Sequence, residues 1–133
     1  MKSERSANFW MQSSDDDFVA MTRSFKIKNY NWALFIGHLV LEKLFKAIYV
    51  EKNPQNPHPP FTHNLIVLSE YCDIETTPEM DEKLGEINSF NISARYEDEH
   101  RKFFRQCTKE YTEEQIEIIK EIREWLKEKL MQK

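Results

Sequence analysis

The segment from Arg95 to Arg105 contains the side chains best suited to chemistry on a phosphate group. The guanidinium of Arg95 can hold a phosphate and its developing charge, and the imidazole of His100 can move a proton near neutral pH. Such a division of work needs no metal ion. Five residues of regular helix turn through about 500°, which leaves the two side chains about 140° apart. They converge only where the backbone is irregular or where two subunits combine their sites.

A structural interpretation of the same pair stays open. In it, Arg95 pairs with Glu99 or with an acidic residue of another helix, and His100 is a surface histidine near a helix start. The sequence does not decide between the two interpretations, because function does not follow from fold.

The run from Arg101 to Arg105 is the densest basic region of the chain, and it interleaves aromatic residues. Base stacking and phosphate contact are reasonable uses of such a surface. The alternative is that Phe103 and Phe104 fill the core while the cations face water, since large aromatic side chains are mostly buried.

Four further polar residues lie in or near the apolar second helix. His38 lies on its apolar side, which favours a hydrogen-bonded core or interface histidine over a catalytic one. Glu42 and Lys46 have the acid-before-base spacing of a helical ion pair. His63 follows a proline-rich loop and precedes a short helix. Its ring either locks that loop onto the bundle, the interpretation we favour, or contacts a nucleotide near the helix start.

Length and composition favour one compact α-helical domain over residues 1–133, with no membrane span. Two glycines among 133 residues exclude a glycine-rich phosphate loop, and a net charge of −4 argues against a broad basic face. Cys72 and Cys107 have no metal-binding spacing, and we see no signal peptide, so we expect a reduced cytoplasmic protein without a metal or cofactor.

Apolar periodicity and capping residues predict three long and two short helices in an antiparallel up-and-down bundle. The prolines of residues 53–62 predict a semi-rigid loop. Residues 89–111 give no clear pattern. Asn31 is the expected N-cap of the second helix, and Thr112 with Gln115 forms a capping-box pattern for the last. The predicted helices run approximately over residues 4–25, 31–52, 64–72, 77–88 and 112 to the C-terminus.

Several motifs together resemble the HEPN domains of prokaryotes, particularly those encoded beside a small nucleotidyltransferase. The resemblance covers nearly the whole chain. It implies a helical bundle that is commonly dimeric, with roles in nucleotide or RNA binding, partnership with nucleotidyltransferases and, in some branches, metal-independent RNA cleavage. The motifs are Tyr30-x-x-Ala33-Leu34-Phe35, His38-Leu39-x-Leu41-Glu42-Lys43-Leu44-x-Lys46-Ala47, Thr62-His63-Asn64-Leu65 and Asn91-Ile92-x-Ala94-Arg95-Tyr96-x-Asp98.

Two departures from the family pattern concern catalysis. The closest branch usually carries Arg-Tyr-Pro-Asp, and here Glu97 occupies the proline position. The RNA-cleaving branch carries Arg, four to six residues and then His, with a polar residue directly after the Arg. Arg95 and His100 satisfy that spacing, but Tyr96 occupies the polar position. The resemblance also suggests that Glu42 faces Arg95.

We therefore expect an accessory module that binds nucleotide or RNA, paired with a nucleotidyltransferase in a toxin-antitoxin-like system. One alternative is a metal-independent endoribonuclease toxin that uses Arg95 and His100. A second is a purely structural interaction module. The expected ligand-binding residues are Arg95, Tyr96, Asp98, Arg101, Lys102 and His63, and the expected orienting residues are His38, Glu42 and Lys46.

A homodimer is expected because the second helix carries apolar side chains around more of its circumference than one core requires. These apolar side chains include Trp32, Phe35, Phe45 and Tyr49, and some of this apolar surface is expected to meet a second surface.

Overall fold

The structure, a computed structural model, describes the backbone of residues 2–93 and 97–131 and the side chains of residues 7–91 and 100–130. These residues form six α-helices and no strand. The all-α helical fold predicted from the sequence is confirmed. None of the described helices is long and apolar enough to cross a bilayer. In chain order the helices are α1 (Lys2–Lys26), α2 (Tyr30–Lys52), α3 (Leu65–Tyr71), α4 (Pro78–Ser93), α5 (Glu97–Gln106) and α6 (Lys109–Met131).

Helix α2 is the centre of the bundle, because side chains on nearly all of its sides are buried. Helices α1 and α6 pack along it, and the shorter helices α3, α4 and α5 also contact it. The predicted stripe of the last helix is buried as a set, at Ile116, Ile119, Ile122, Leu126 and Leu130. Burial of these side chains is the main favourable term in the folding free energy.

Gly37 allows α2 and α6 to approach each other closely. A Cβ atom at this position would lie 2.6 Å from Ile119 Cδ1 of α6 and 3.2 Å from the Met21 sulfur of α1. Both neighbours are fully buried and cannot move easily. One of the two glycines is therefore a packing residue in the middle of the three-helix core.

Left-handed residues end α1 and α3. Lys28 has φ 65°, and the amide of Asn29 donates to Ser24 O while that of Lys28 donates to Phe25 O. This pair of hydrogen bonds is a Schellman motif, which satisfies the last carbonyl groups of a helix. Asp73 has φ 58° and ends α3 with the same pair of bonds. Three residues thus suffice to turn α1 into its antiparallel neighbour α2.

Asn64 and Thr77 cap helices, whereas the two caps predicted from the sequence, at Asn31 and Thr112, are wrong. The Asn64 side chain accepts from the amides of α3, and Thr77 Oγ1 accepts from the amide of Met80 at the start of α4. Asn31 is not a cap, because Asn29 precedes α2 and Asn31 is buried within its first turn. The helix boundaries otherwise agree within a few residues for α1, α2 and α3.

Helix α6 begins three residues before the predicted start. Thr108 Oγ1 accepts from the amide of Tyr111, so Thr108 takes the capping position. Thr112 and Gln115 are buried inside the helix instead of forming a capping box. The Tyr111 ring packs edge-on against Phe90 of α4, at 6.4 Å between centroids, and this contact accounts for the additional turn.

Acidic residues of α1 connect it to its neighbours. Asp17 pairs with Lys43 of α2 at 2.7 Å, and Asp15 pairs with Arg123 and Lys127 of α6 at 3.1 and 3.0 Å. The Arg123 guanidinium also lies 3.9 Å from the ring centre of Phe18. Asp15 and Asp17 are two residues apart, which places their carboxylates about 200° apart around α1, and they contact two different helices.

Candidate functional site

Helix α5 carries an exposed aromatic ring between exposed cations. We call His100, Arg101, Phe104 and Arg105 the α5 surface. Spacings of three and four residues make neighbours of Phe104 and His100, of Phe104 and Arg101, and of Arg101 and Arg105 on the helix surface. The Phe104 side chain is 64% exposed, both arginines are exposed and His100 is half-buried. Lys102 is also exposed, and it extends the positive charge around the helix.

Phe103 holds this helix to the bundle. It is 3% exposed, and its ring lies 5.5 Å from that of buried Phe90 on α4. Adjacent phenylalanines therefore have opposite roles, one in the core and one on the surface. The prediction that both fill the core is correct for Phe103 and wrong for Phe104.

A second polar group lies where the proline-rich loop meets α2. We call His38, Glu42, Lys46 and His63 the Glu42 cluster. His63 Nδ1 lies 2.9 Å from Glu42 Oε1, and Lys46 Nζ lies 2.9 Å from Glu42 Oε2. His38 Nε2 lies 2.7 Å from the backbone oxygen of His63. The Lys46 ammonium also lies 5.2 Å from the centre of the Trp10 ring, within the range of a cation–π interaction.

Burial and hydrogen bonding have opposite effects on the pKa of Glu42. Burial alone raises the pKa of Glu42, but hydrogen bonds from Lys46 and His63 outweigh it and bring the pKa below the ordinary 4.5. Glu42 is therefore an ionised carboxylate that only accepts hydrogen bonds. It follows that Nδ1 of His63 carries a proton and donates to Glu42.

His38 is a neutral imidazole. Burial lowers its pKa below 6.5, even though the Glu42 carboxylate and the His63 carbonyl favour the charged form. Its Nε2 atom faces a carbonyl oxygen and must donate, so Nδ1 carries a lone pair. That buried nitrogen has no hydrogen-bond partner and lies 3.8 Å from Glu42 Oε1. His38 is thus fully buried and hydrogen-bonded through one nitrogen only.

Hydrogen bonds from α2 and α4 hold the loop in place at His63 and at the two residues that follow it. The Asn88 side chain of α4 accepts from the amide of Leu65 and donates to Asn64 Oδ1, at 2.8 and 2.9 Å. On the α2 side, His38 donates to the carbonyl of His63 itself. The position of the His63 ring is therefore set by α2, α3 and α4 together.

One comparison with known proteins assigns the chain to a family. A family model described as the HEPN domain matches residues 7–130. Searches of curated proteins and of solved structures give no match. The chain belongs to the HEPN family. The resemblance seen in the sequence is thereby confirmed at the level of the family.

Part of the predicted site of this HEPN domain lies outside the described residues. Arg95, Tyr96 and the side chain of Asp98 are not among the parts of the chain that the structure describes. The structure therefore gives no distance from Arg95 to His100 or to Glu42. The partners of Glu42 that it does show are His63 and Lys46.

The other predicted residues fall into two groups. His38, Glu42, Lys46 and His63 lie together, whereas His100, Arg101 and Lys102 lie on α5. Helix α4 is packed between them, because Asn88 binds the loop and Phe90 stacks on α5. Among the described side chains, no group of three or more His, Cys, Asp or Glu residues could hold a metal ion.

Sequence reasoning missed Asn88. This residue lies within a predicted helix, where an asparagine gives no local sign of its partners. The only indication of its role in the sequence was its residue type, because Asn is a poor helix former and often bonds to a backbone amide. Phe45, one of the apolar side chains that suggested a second surface on α2, is fully buried in the core of this chain.

Proposed function

We propose that this HEPN domain binds RNA or nucleotides and that the α5 surface is its main contact. The observation that carries the proposal is the exposed Phe104 ring beside Arg101 and Arg105. The Phe104 ring is 64% exposed on its helix, so it lacks the apolar burial that its neighbour Phe103 has. Stacking of a nucleobase would recover that burial when the ligand is bound.

The chemistry of the α5 surface suits single-stranded nucleic acid. An aromatic face accepts any base, and stacking contributes about 1–3 kcal/mol per base. Guanidinium groups bind phosphate with paired hydrogen bonds and also stack on bases. A local positive surface of this kind is compatible with the net charge of −4 of the whole chain. Arg95 and Tyr96 precede α5 directly and Asp98 is the second residue of α5, and all three are proposed to extend the same contact.

The proposal includes the biological setting implied by the family resemblance. The domain would act in the cytoplasm as an accessory module, paired with a nucleotidyltransferase in a toxin-antitoxin-like system. A homodimer would bring two α5 surfaces into one assembly. Trp32, 47% exposed on α2, and Phe9, 64% exposed on α1, supply apolar surface for such an interface.

The test is fluorescence anisotropy with a labelled single-stranded RNA of mixed sequence, and separately with a labelled nucleotide. We expect Phe104→Ala to weaken RNA binding by about 5- to 150-fold, which corresponds to the loss of one stacked base. Arg105→Ala should weaken binding and reduce the slope of log affinity against log salt by about 0.7, as the loss of one phosphate contact requires.

The matched control is Arg23→Ala, since Arg23 is an exposed arginine on α1. It should leave RNA binding within about twofold, because scattered exposed cations contribute little to a specific contact. Equal losses in Arg23→Ala and Arg105→Ala would indicate non-specific attraction. No binding of RNA or nucleotide by the folded wild type would leave the structural interaction module as the better account.

A second candidate function is metal-independent RNA cleavage by Arg95 and His100. The specific observation in its favour is that His100 lies one helical turn before Phe104, on the α5 surface. A base stacked on Phe104 would bring a neighbouring ribose and phosphate near this imidazole. The test is incubation of wild type, Arg95→Ala and His100→Ala with mixed RNA in EDTA. Cleavage that both variants abolish supports this function, and cleavage that both retain contradicts the assignment.

A further inference from the structure

The Glu42 cluster orients a half-exposed imidazole with one nitrogen directed away from its partners. Nδ1 of His63 donates to a carboxylate whose side chain is 6% exposed, whereas the His63 side chain is 49% exposed. No hydrogen bond joins Nε2 to any residue in the described part of the chain. The ring therefore has one nitrogen engaged in the protein and one available to a ligand.

The tautomer of this imidazole is fixed. Because ionised Glu42 can only accept, the neutral ring of His63 keeps its proton on Nδ1 and its lone pair on Nε2. The second carboxylate oxygen is occupied by Lys46, which prevents Glu42 from turning away. A hydrogen-bond acceptor of defined direction results at Nε2.

The protein gives up stability for this arrangement. Burying a carboxylate is costly even when it is paired, and a buried nitrogen of His38 is left without a hydrogen bond. Anchoring the loop does not require either cost, since the Asn88 side chain already accepts from the amide of Leu65 and donates to the side chain of Asn64. Buried polar groups that orient an accessible histidine are typical of functional sites.

We infer that His63 is a ligand-contact residue whose Nε2 atom accepts a hydrogen bond from a ribose 2′-hydroxyl of bound RNA, with Glu42 as its positioning residue. This inference rests on the proposed function, RNA binding. A 2′-hydroxyl is the donor that distinguishes RNA from DNA, and a neutral imidazole nitrogen is a suitable acceptor for it. Phe61, fully exposed two residues before His63, supplies an aromatic face for the adjoining base.

The deciding variant is His63→Asn. The Asn amide nitrogen takes the place of Nδ1 and can still donate to Glu42, but nothing replaces Nε2. At pH 8, we expect RNA affinity to fall about five- to tenfold, the loss of one hydrogen bond. Affinity for the DNA of the same sequence should stay within about twofold, since DNA lacks the donor.

Glu42→Gln tests the positioning role. A carboxylate accepts from both Lys46 and His63, whereas an amide has one acceptor and one donor and can satisfy only one of them. The ratio of RNA affinity to DNA affinity should fall in this variant. The ¹⁵N shifts of the His63 ring should change from those of one dominant tautomer to those of a mixture. A merely structural Glu42 would leave the ring tautomer unchanged.

The matched control is His58→Asn, an exposed histidine of the same proline-rich loop. It should leave both affinities unchanged. Equal loss of RNA and DNA affinity in His63→Asn would overturn the inference and indicate a phosphate contact instead. Unchanged RNA affinity would also overturn it, with the proposed function intact. If the wild type binds neither polymer, the proposed function fails as well, and a wild type that binds RNA and DNA equally overturns only this inference.

Discussion

The Glu42 cluster and the α5 surface are both polar, yet they are built on opposite principles. In the Glu42 cluster, each side chain is held by another, and the carboxylate at its centre is 6% exposed. On the α5 surface, Phe104 and both arginines are exposed on a helix anchored through Phe103. The chain therefore carries one polar group fixed by buried contacts and another that lies mostly at the surface. A hydroxyl of fixed direction suits the first, and stacked bases with flexible phosphates suit the second.

The largest expected effect concerns the anchor of the α5 surface. Phe103→Ala should lower the free energy of unfolding by about 3–4 kcal/mol, because it removes a buried ring that stacks on Phe90. Phe104→Ala should change it by about 0.5 kcal/mol or less, since that ring is exposed. Urea unfolding measures both values. Similar losses in the two variants would contradict the assignment of one ring to the core and the other to the surface.

The next effect concerns the buried ion pair of the Glu42 cluster. Lys46→Met should lower the free energy of unfolding by about 3 kcal/mol at pH 7, because it leaves a buried carboxylate with His63 as its remaining partner. The matched control is Lys120→Met, which removes an exposed pair with Glu117 at 3.5 Å. That change should cost about 0.5 kcal/mol or less. Equal losses in urea unfolding would mean that burial of Glu42 has no energetic consequence.

A smaller effect is the pH dependence that His38 confers on stability. Its pKa is lower in the folded chain than the ordinary 6.5, so the unfolded chain takes up the proton first as the pH falls. Stability should therefore decrease below pH 6.5, by at most about 1.4 kcal/mol per pH unit. His38→Gln, which can still donate to the His63 carbonyl, should remove this part of the decrease.

His38 and the carboxylates affect stability in different ranges of acidic pH. The pKa of Glu42 is held below 4.5 in the folded chain, and its contribution is lost only as the pH falls below that value. Thermal unfolding of wild type and His38→Gln from pH 8 to pH 4 resolves the two ranges. A wild-type stability that is constant between pH 6.5 and pH 5 would contradict a buried neutral His38.

The sequence predicts the helices well where local rules apply. The Glu42–Lys46 spacing predicts an ion pair that the structure contains, and Asn64 and Thr77 cap helices as their types suggest. The predicted start of α6 was wrong because Thr108 and Thr112 are both suitable caps. The contact of Tyr111 with Phe90 on another helix decides between them, and no local pattern contains it.

The two candidate sites depend on contacts between residues far apart in the chain. His63 lies 21 residues after Glu42, across an irregular loop, so no periodicity connects them. Residues 89–111 gave no clear pattern, because α5 is short and has Phe103 as its buried aromatic. The sequence identified most of the polar residues by type. Which of them share a site follows from the packing of α4 between the loop and α5.

The most direct test of the central claim is an NMR titration of the ¹⁵N-labelled protein with single-stranded RNA of mixed sequence. RNA binding at the α5 surface predicts the largest amide shifts at residues 100–105, with further shifts around His63. In Phe104→Ala, the shifts at residues 100–105 should require a higher RNA concentration. An absence of shifts, or shifts confined to the exposed side of α1, would contradict the account.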